Sequence, residues 1–484
     1  MTVAPGSLAR NTSVFTLALV GQKVISFAYF TYLARFFGPG DVGRYVFALS
    51  FATLFSVLLD LGLASVLTRE VAREPQQASR LTSLVFGFKL VAVLVVCALA
   101  VATINLLGYP SLTRQLVYLA CLVMVLDSFT LSAYSTIRGF HTLAWESIGS
   151  VLMQSVVGVL GVAASLYTRD LRAFLLALVV AAAANLSFSL YQLRRRFSLR
   201  PAPVFEARGF RYLLQLAWPF ALAAVLTRAY GYLDIMLLSV LKGDHALGIY
   251  SLAYKVTFAL QFIPTAFAAS LLPGFSSYYE AERAKLADTF VRGVAYLVII
   301  AVPLSFGLAA LAPAIVRTVY PAFHESVVPL QVLVLSLVPL FATFPIGSLL
   351  SACNRQKRNT LNLALAVAVN LALNLLLIPR FGPTGAALAS AASTGVLLVV
   401  GWQAVRRVMA ARVPWLAGRV LRSLGAGLAM AAVVLFTKPY LHFTLAVPLG
   451  GFVYLGLLFA TGGLTSGEVR SLWQVLMHRP APSA

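Results

Sequence analysis

Two stretches decide the fold: GDVGRYVFALSFATLF at residues 40–55 and GDHALGIYSLAYKVTFAL at residues 243–260. Each opens on Gly-Asp, passes through Gly-x-Tyr and runs into an apolar segment. Tyr250 follows Tyr45 by 205 residues, and the same offset sets Lys285 on Arg80, each at the start of a following apolar run. STIRGFH from Ser135 and SACNRQK from Ser351 close the fourth and tenth apolar runs. The chain therefore contains two similar halves in the same orientation.

Working outward, the 484 residues are 60% hydrophobic and only 11% charged, against about 25% charged in a soluble protein. The apolar residues fall in blocks long enough to cross roughly 30 Å of hydrocarbon as helices. They do not alternate with polar residues, which excludes a β-barrel. Fourteen spans are predicted, at 12–36, 44–67, 81–107, 115–137, 143–167, 172–193, 212–240, 246–271, 288–311, 326–352, 359–378, 383–405, 414–436 and 443–463. The expected fold is an all-α integral membrane protein. It has two six-helix bundles related by a pseudo-twofold repeat, residues 1–200 and 201–411, and two extra C-terminal helices with a tail in 412–484. The first span continues past the length of a secretory signal, with no small-residue cleavage site, and is read as a retained helix.

A formal charge of +22 suggests nucleic acid until the basic residues are placed. Twenty-three of them lie at the termini and in the even-numbered gaps, including Arg194, Arg195, Arg196, Arg200, Arg208 and Arg211; nine lie in the odd-numbered gaps. That asymmetry is membrane topology and puts both termini in the cytoplasm. The five others, Lys23, Lys89, Arg228, Lys255 and Arg292, lie within spans or near their ends.

Lys23 stands in LALVGQKVISFAYF, residues 17–30, where a lysine at bilayer depth costs about 2.5–3.5 kcal/mol on insertion scales. The 205-residue offset carries it to Arg228, near the middle of span 7. Two cations at matching depth point to a polar cavity shared by the repeats, because substrate sites of repeated transporters lie at the repeat interface. The alternative is that Lys23 snorkels, or pairs with Asp60, Asp127 or Asp234. Those carboxylates are also the candidates for coupling or charge pairing, with Asp127 at mid-depth. Asp234 lies six residues beyond Arg228, about 240° round a helix, so the two do not face the same way. Phe27 and Phe30 read as packing, and the glycine pairs Gly158/Gly161 and Gly425/Gly427 as sites of close helix approach. Cys97, Cys121 and Cys353 read as buried small hydrophobes, and no metal-ligand spacing is present.

LLDLGLASVLTREVARE at 58–74 and TRAYGYLDIMLLSVLKGDHALGIYSLAYK at 227–255 resemble the Wzx-type flippases for O-antigen and other polysaccharides. These are the polysaccharide transporter family of the MATE/MOP superfamily. The resemblance covers nearly the whole chain. It implies two bundles around a central cationic cavity and alternating access, in a multi-pass protein of the inner (cytoplasmic) membrane. It implies a polyprenyl-pyrophosphate-linked oligosaccharide as substrate, turned from the inner to the outer leaflet. Lys23, Arg228, Lys255 and Lys89 are then the candidates for binding pyrophosphate, which suits the planar fork of arginine and the point charge of lysine. No catalytic residue, metal or cofactor is expected, only coupling to H⁺ or Na⁺. Expected partners are membrane lipid and the polymerase and glycosyltransferases of one pathway, with no nucleic acid.

The lipid II flippases form a neighbouring group and the alternative substrate class. A MATE-type exporter of organic cations would have an acidic cavity and usually twelve spans. A membrane glycan polymerase would need catalytic carboxylates or histidines, but Asp41, Asp170, Asp244 and Glu325 are scattered in short loops, and His245 and His324 are isolated.

Overall fold

The repeat marker Gly-Asp-x-x-x-Gly-x-Tyr is where the long helix of the second half breaks. Gly243 takes φ 81° and ψ −176° inside α8 (Ala207–Leu260), a backbone conformation that glycine adopts without steric penalty. Gly382 (φ 52°) does the same inside α13 (Gln356–Arg406). The computed structural model describes residues 5–409, 413–437, 442–465 and 467–468, and every regular element among them is helical. Among the described residues, ten segments are long and apolar enough to cross a membrane, two of them containing the breaks. Gly243 and Gly382 divide those two, and α1 (Pro5–Phe36) and α15 (Phe443–Ala460) are further helices among the described residues. The expected all-α membrane fold is the one observed.

Three expected spans are cut differently. The one expected over 246–271 breaks at Gln261, between the end of α8 and α9 (Phe262–Ala281). The helix predicted over 44–67 is α2 (Pro39–Asp60), with proline in its first turn and Asp41 beside its N-terminus. Leu61 (φ 43°) and Gly62 (φ 81°) are both left-handed and end it. The next helix, α3 (Leu63–Arg73), is amphipathic: Leu63, Val66, Leu67 and Val71 are buried, a helical stripe that leaves Arg69 and Arg73 outside it. The span predicted over 326–352 is two helices, α11 (Val327–Leu335) and α12 (Leu337–Ala352), meeting at Ser336.

The described residues form two compact units, one within 1–262 and 370–386, the other within 263–369 and 387–484. In the first, α5 (Ser111–Gly139) packs on α2, α3, α4 (Ala78–Leu106) and α7 (Leu171–Arg196). α6 (Ala144–Tyr167) packs on α7 and α1. Asp170 caps α7, its side chain accepting from the Arg172 amide at 2.9 Å. The Arg172 side chain beside it holds that carboxyl below the usual carboxylate range.

In this unit α2 packs closely on α8. A Cβ on Gly43 would overlap the Asp244 carbonyl, and a Cβ on Gly248 would overlap the Pro39 carbonyl. Both pairs are related by the offset of the sequence repeat: Gly248 is the counterpart of Gly43, and Asp244 of Pro39. Such reciprocal contact is what a twofold produces when it brings two copies of one surface together. Arg44 reinforces the crossing with an ion pair to Asp244 (3.1 Å) and also pairs with Asp41 of its own helix (3.0 Å).

The second unit is built on α10 (Arg283–Val319), which packs against α11, α12, α14 (Val413–Thr437) and α15. Phe275, Phe290, Val298, Val302 and Leu349 are part of its apolar core. Tyr454 donates to the Ile299 carbonyl at 2.8 Å and shares a 2.7 Å hydrogen bond with Ser423, tying α15 to α10 and α14. Of the glycine pairs, one member each makes a close approach: Gly161 lies against the Tyr29 ring and Gly427 against Val302, whereas Gly158 and Gly425 have open space.

Candidate functional site

A cavity of about 580 Å³ opens inside the first unit. Its wall follows from helical spacing. α2 supplies Tyr45, Leu49, Thr53, Ser56 and Asp60, and α5 supplies Ala120, Met124, Asp127, Leu131 and Tyr134. Both sets recur every three or four residues, one helix face each. α8 contributes Arg228 and Tyr232 before its break and Ser251, Tyr254, Lys255 and Phe258 after it; Phe30 comes from α1.

Arg228 and Lys255 thus line one chamber. Lys23 reaches the same wall from α1, its Nζ 4.5 Å from the centre of the Phe258 ring. Lys255 makes the corresponding approach to Phe30 at 5.5 Å. Among the described residues, Lys23, Arg228 and Lys255 form no ion pair or hydrogen bond. The two lysines rest on aromatic faces, an attraction worth about 0.5–2 kcal/mol that leaves their N–H donors available. Phe258 ends a column of rings on α8, with Tyr250 and Tyr254 at 6.1 Å and Tyr254 and Phe258 at 5.8 Å, all near-parallel.

The other four candidates divide. Lys89 is fully buried, bonded through Nζ to Asp60 (3.1 Å) and to the Ser128 carbonyl (2.8 Å). That pair is electrically closed and presents only the Asp60 side to the chamber. Asp234 is buried off the chamber, accepting from Tyr250 (2.8 Å) and from Asn374 (2.7 Å), which also donates to Asn370. Asp127 lines the chamber and has no ion pair or hydrogen bond among the described residues. Three open cations against one open carboxylate leave the cavity positively charged.

Sequence reading missed the ring column, although its spacing of four, Tyr250, Tyr254 and Phe258, stands inside the second opening stretch. Tyr250 served there only to mark the repeat. Phe30 packs as expected, buried, and its ring in addition carries Lys255 and borders the chamber. Nothing in the linear order could show that Lys89 has Asp60 as its partner.

An internally repeated helical protein with a positively charged chamber in its membrane-spanning part defines a membrane transporter. Residues 8–279, more than half the chain, match the model of the polysaccharide biosynthesis protein family, and residues 219–376 match that of the MatE family. The chain belongs to the polysaccharide biosynthesis protein family. Both stretches that carried the resemblance, 58–74 and 227–255, lie within the match. The chain is similar to the probable low-salt glycan biosynthesis flippase Agl15 of Haloferax volcanii, 22% identical over 408 residues, 81% of this chain and 82% of that one. It is also similar to the probable flippase AglR of the same organism, 28% identical over 214 residues, 43% of this chain and 44% of that one. Its fold is that of the lipid II flippase MurJ in an inward closed conformation, with a TM-score of 0.77 at 15% identity over 96% of this chain and 99% of that one.

Proposed function

We propose that the protein is a flippase that carries a polyprenyl-pyrophosphate-linked oligosaccharide across the cytoplasmic membrane by alternating access. The observation that carries this reading is the set of three open cations, Lys23, Arg228 and Lys255, around one chamber. A pyrophosphate offers charged acceptors to these donors, sugars suit the hydroxyl-lined and aromatic wall, and the polyprenyl tail stays in lipid. The reaction makes and breaks no covalent bond, so the protein acts without catalytic residues. Family membership and the names of the two relatives support a glycan of a surface polysaccharide pathway. The likeness to MurJ favours lipid II as the second substrate class. The test is to deplete the protein in its host. Lipid-linked glycan should accumulate on the cytoplasmic face; undisturbed surface glycan together with no such accumulation rejects the reading.

The distribution of arginine and lysine supports a topology with both termini in the cytoplasm. A reporter that works only outside the cytoplasm, fused after Arg479, should stay silent, and strong activity would reverse the topology. The transporter would work beside the polymerase and glycosyltransferases of its pathway.

Coupling to H⁺ or Na⁺ is assigned to Asp127, the open carboxylate of the chamber. Asp127→Asn keeps the shape and removes the charge. Transport by this variant should lose its dependence on the ion gradient while protein abundance holds. Normal transport across pH and sodium conditions would leave Asp127 as a polar wall residue only.

A further inference from the structure

The first turns of α8 have one face packed and one face open. Leu213 and Ala217 join the apolar cluster built with α3 and α4, and Phe210 meets Phe88 edge-on at 5.7 Å. On the other side Arg211, Gln215, Trp218, Leu222 and Val225 follow one another at intervals of four, three, four and three residues, one helical stripe. All five are exposed. The apolar membrane-spanning stretch of this helix begins at Phe220, so Arg211, Gln215 and Trp218 stand at its edge and Leu222 and Val225 inside it. The stripe covers about 21 Å at a rise of 1.5 Å per residue. It passes from cation to amide to indole to hydrocarbon. At its polar end Arg211, Gln215 and Trp218, with Phe210 and Leu214, line a surface groove of about 650 Å³.

The charge around this groove is unbalanced. Residues 194–222 hold six arginines and one carboxylate, Glu206, and Arg80 already pairs with that carboxylate at 3.4 Å. Arg211, Gln215 and Trp218 form no hydrogen bond or ion pair among the described residues. Arginine and the tryptophan indole only donate, so the complementary group is an anion that accepts. A small soluble anion would use the arginine end and leave the rest of the stripe unmatched. An acidic soluble protein would meet the same charge but not the part beyond Phe220, which lies in hydrocarbon. A phospholipid matches the whole gradient: its phosphate at Arg211 and Gln215, its ester region beside the Trp218 indole, and an acyl chain along Leu222 and Val225. Tryptophan suits that level because its ring is apolar at one end and donates at the other.

We propose that this groove is a docking site for an anionic phospholipid of the surrounding bilayer. The inference does not involve the cationic chamber and holds whichever glycan the flippase carries.

The test is native mass spectrometry of the full-length protein in detergent, titrated with dioleoyl phosphatidylglycerol and, separately, with dioleoyl phosphatidylcholine. Wild type should bind the first phosphatidylglycerol more tightly than the first phosphatidylcholine. Arg211→Gln should weaken the phosphatidylglycerol step about 5-fold, the worth of one basic residue at an anionic membrane surface. Trp218→Ala alters no charge and should weaken that step too. Arg194→Gln removes a charge from the same basic segment outside the groove and should leave the step nearly unchanged. All three side chains are exposed, so the variants should melt like wild type. Equal binding of the two lipids by wild type, or equal losses in Arg194→Gln and Arg211→Gln, overturns the proposal. Displacement of phosphatidylglycerol by equimolar undecaprenyl phosphate would assign the groove to the transported lipid and overturn it as well.

Discussion

Arg228→Ala, Lys23→Ala and Lys255→Ala each lower translocation of the lipid-linked glycan about 10–100-fold while the protein remains in the membrane at wild-type abundance. The magnitude is that of one charge-assisted contact, roughly 1.5–3 kcal/mol. The unchanged abundance has a structural reason: none of the three forms an ion pair among the described residues, so their removal strands no buried carboxylate. Lys23→Arg and Arg228→Lys should retain more transport than the alanine variants, because charge at the chamber wall matters more than shape. The measurement is flipping in reconstituted vesicles, with immunoblotting of the membrane fraction alongside. Surface glycan at normal levels in both Lys23→Ala and Arg228→Ala cells, with normal flipping in vesicles, would end the cationic-chamber reading.

Lys89→Met has the opposite phenotype. Lys89 is 0% exposed and its partner Asp60 is 20% exposed, so the methionine leaves the Asp60 carboxylate and the Ser128 carbonyl without their donor. Removing one member of a buried pair costs about 3–5 kcal/mol. The lower end applies here, since Asp60 borders the cavity and water there softens the loss. The purified variant should melt at a lower temperature and accumulate poorly. The double variant Lys89→Met/Asp60→Asn removes both charges and should recover part of the loss. A Lys89→Met protein that melts like wild type but fails to flip would instead make Lys89 a substrate contact. The two lysines thus separate by readout, Lys23 in transport and Lys89 in stability, although both sit within apolar spans of the sequence.

The break at Gly243 shows how far local reading extends. Glycine is among the strongest punctuators of local structure, and the repeat marks this one at the gap between two apolar runs. The end of α2 was harder. Leu61 is an ordinary helix former, and only the backbone shows it left-handed beside Gly62, packed where a Cβ on Gly62 would meet Phe220. A hydropathy window runs across that turn, because Leu63, Val66 and Leu67 are apolar for a different reason: they are the buried stripe of an amphipathic helix.

By itself the sequence determined the class of protein. The length of its apolar runs demands helices in lipid, and the offset of 205 residues declares the repeat. The asymmetry of arginine and lysine sets the proposed topology, and cations within the spans require a site to hold them. These properties are sums or periodicities along the chain, so linear order preserves them. Tertiary structure decided which charges are open. Asp60 meets Lys89 across 29 residues, and Asp234 meets Asn374 across 140. Lys23 and Lys255 instead lie over the faces of Phe258 and Phe30. A charge is quenched or exposed by what stands within a few ångströms of it, and those neighbours come from distant parts of the chain.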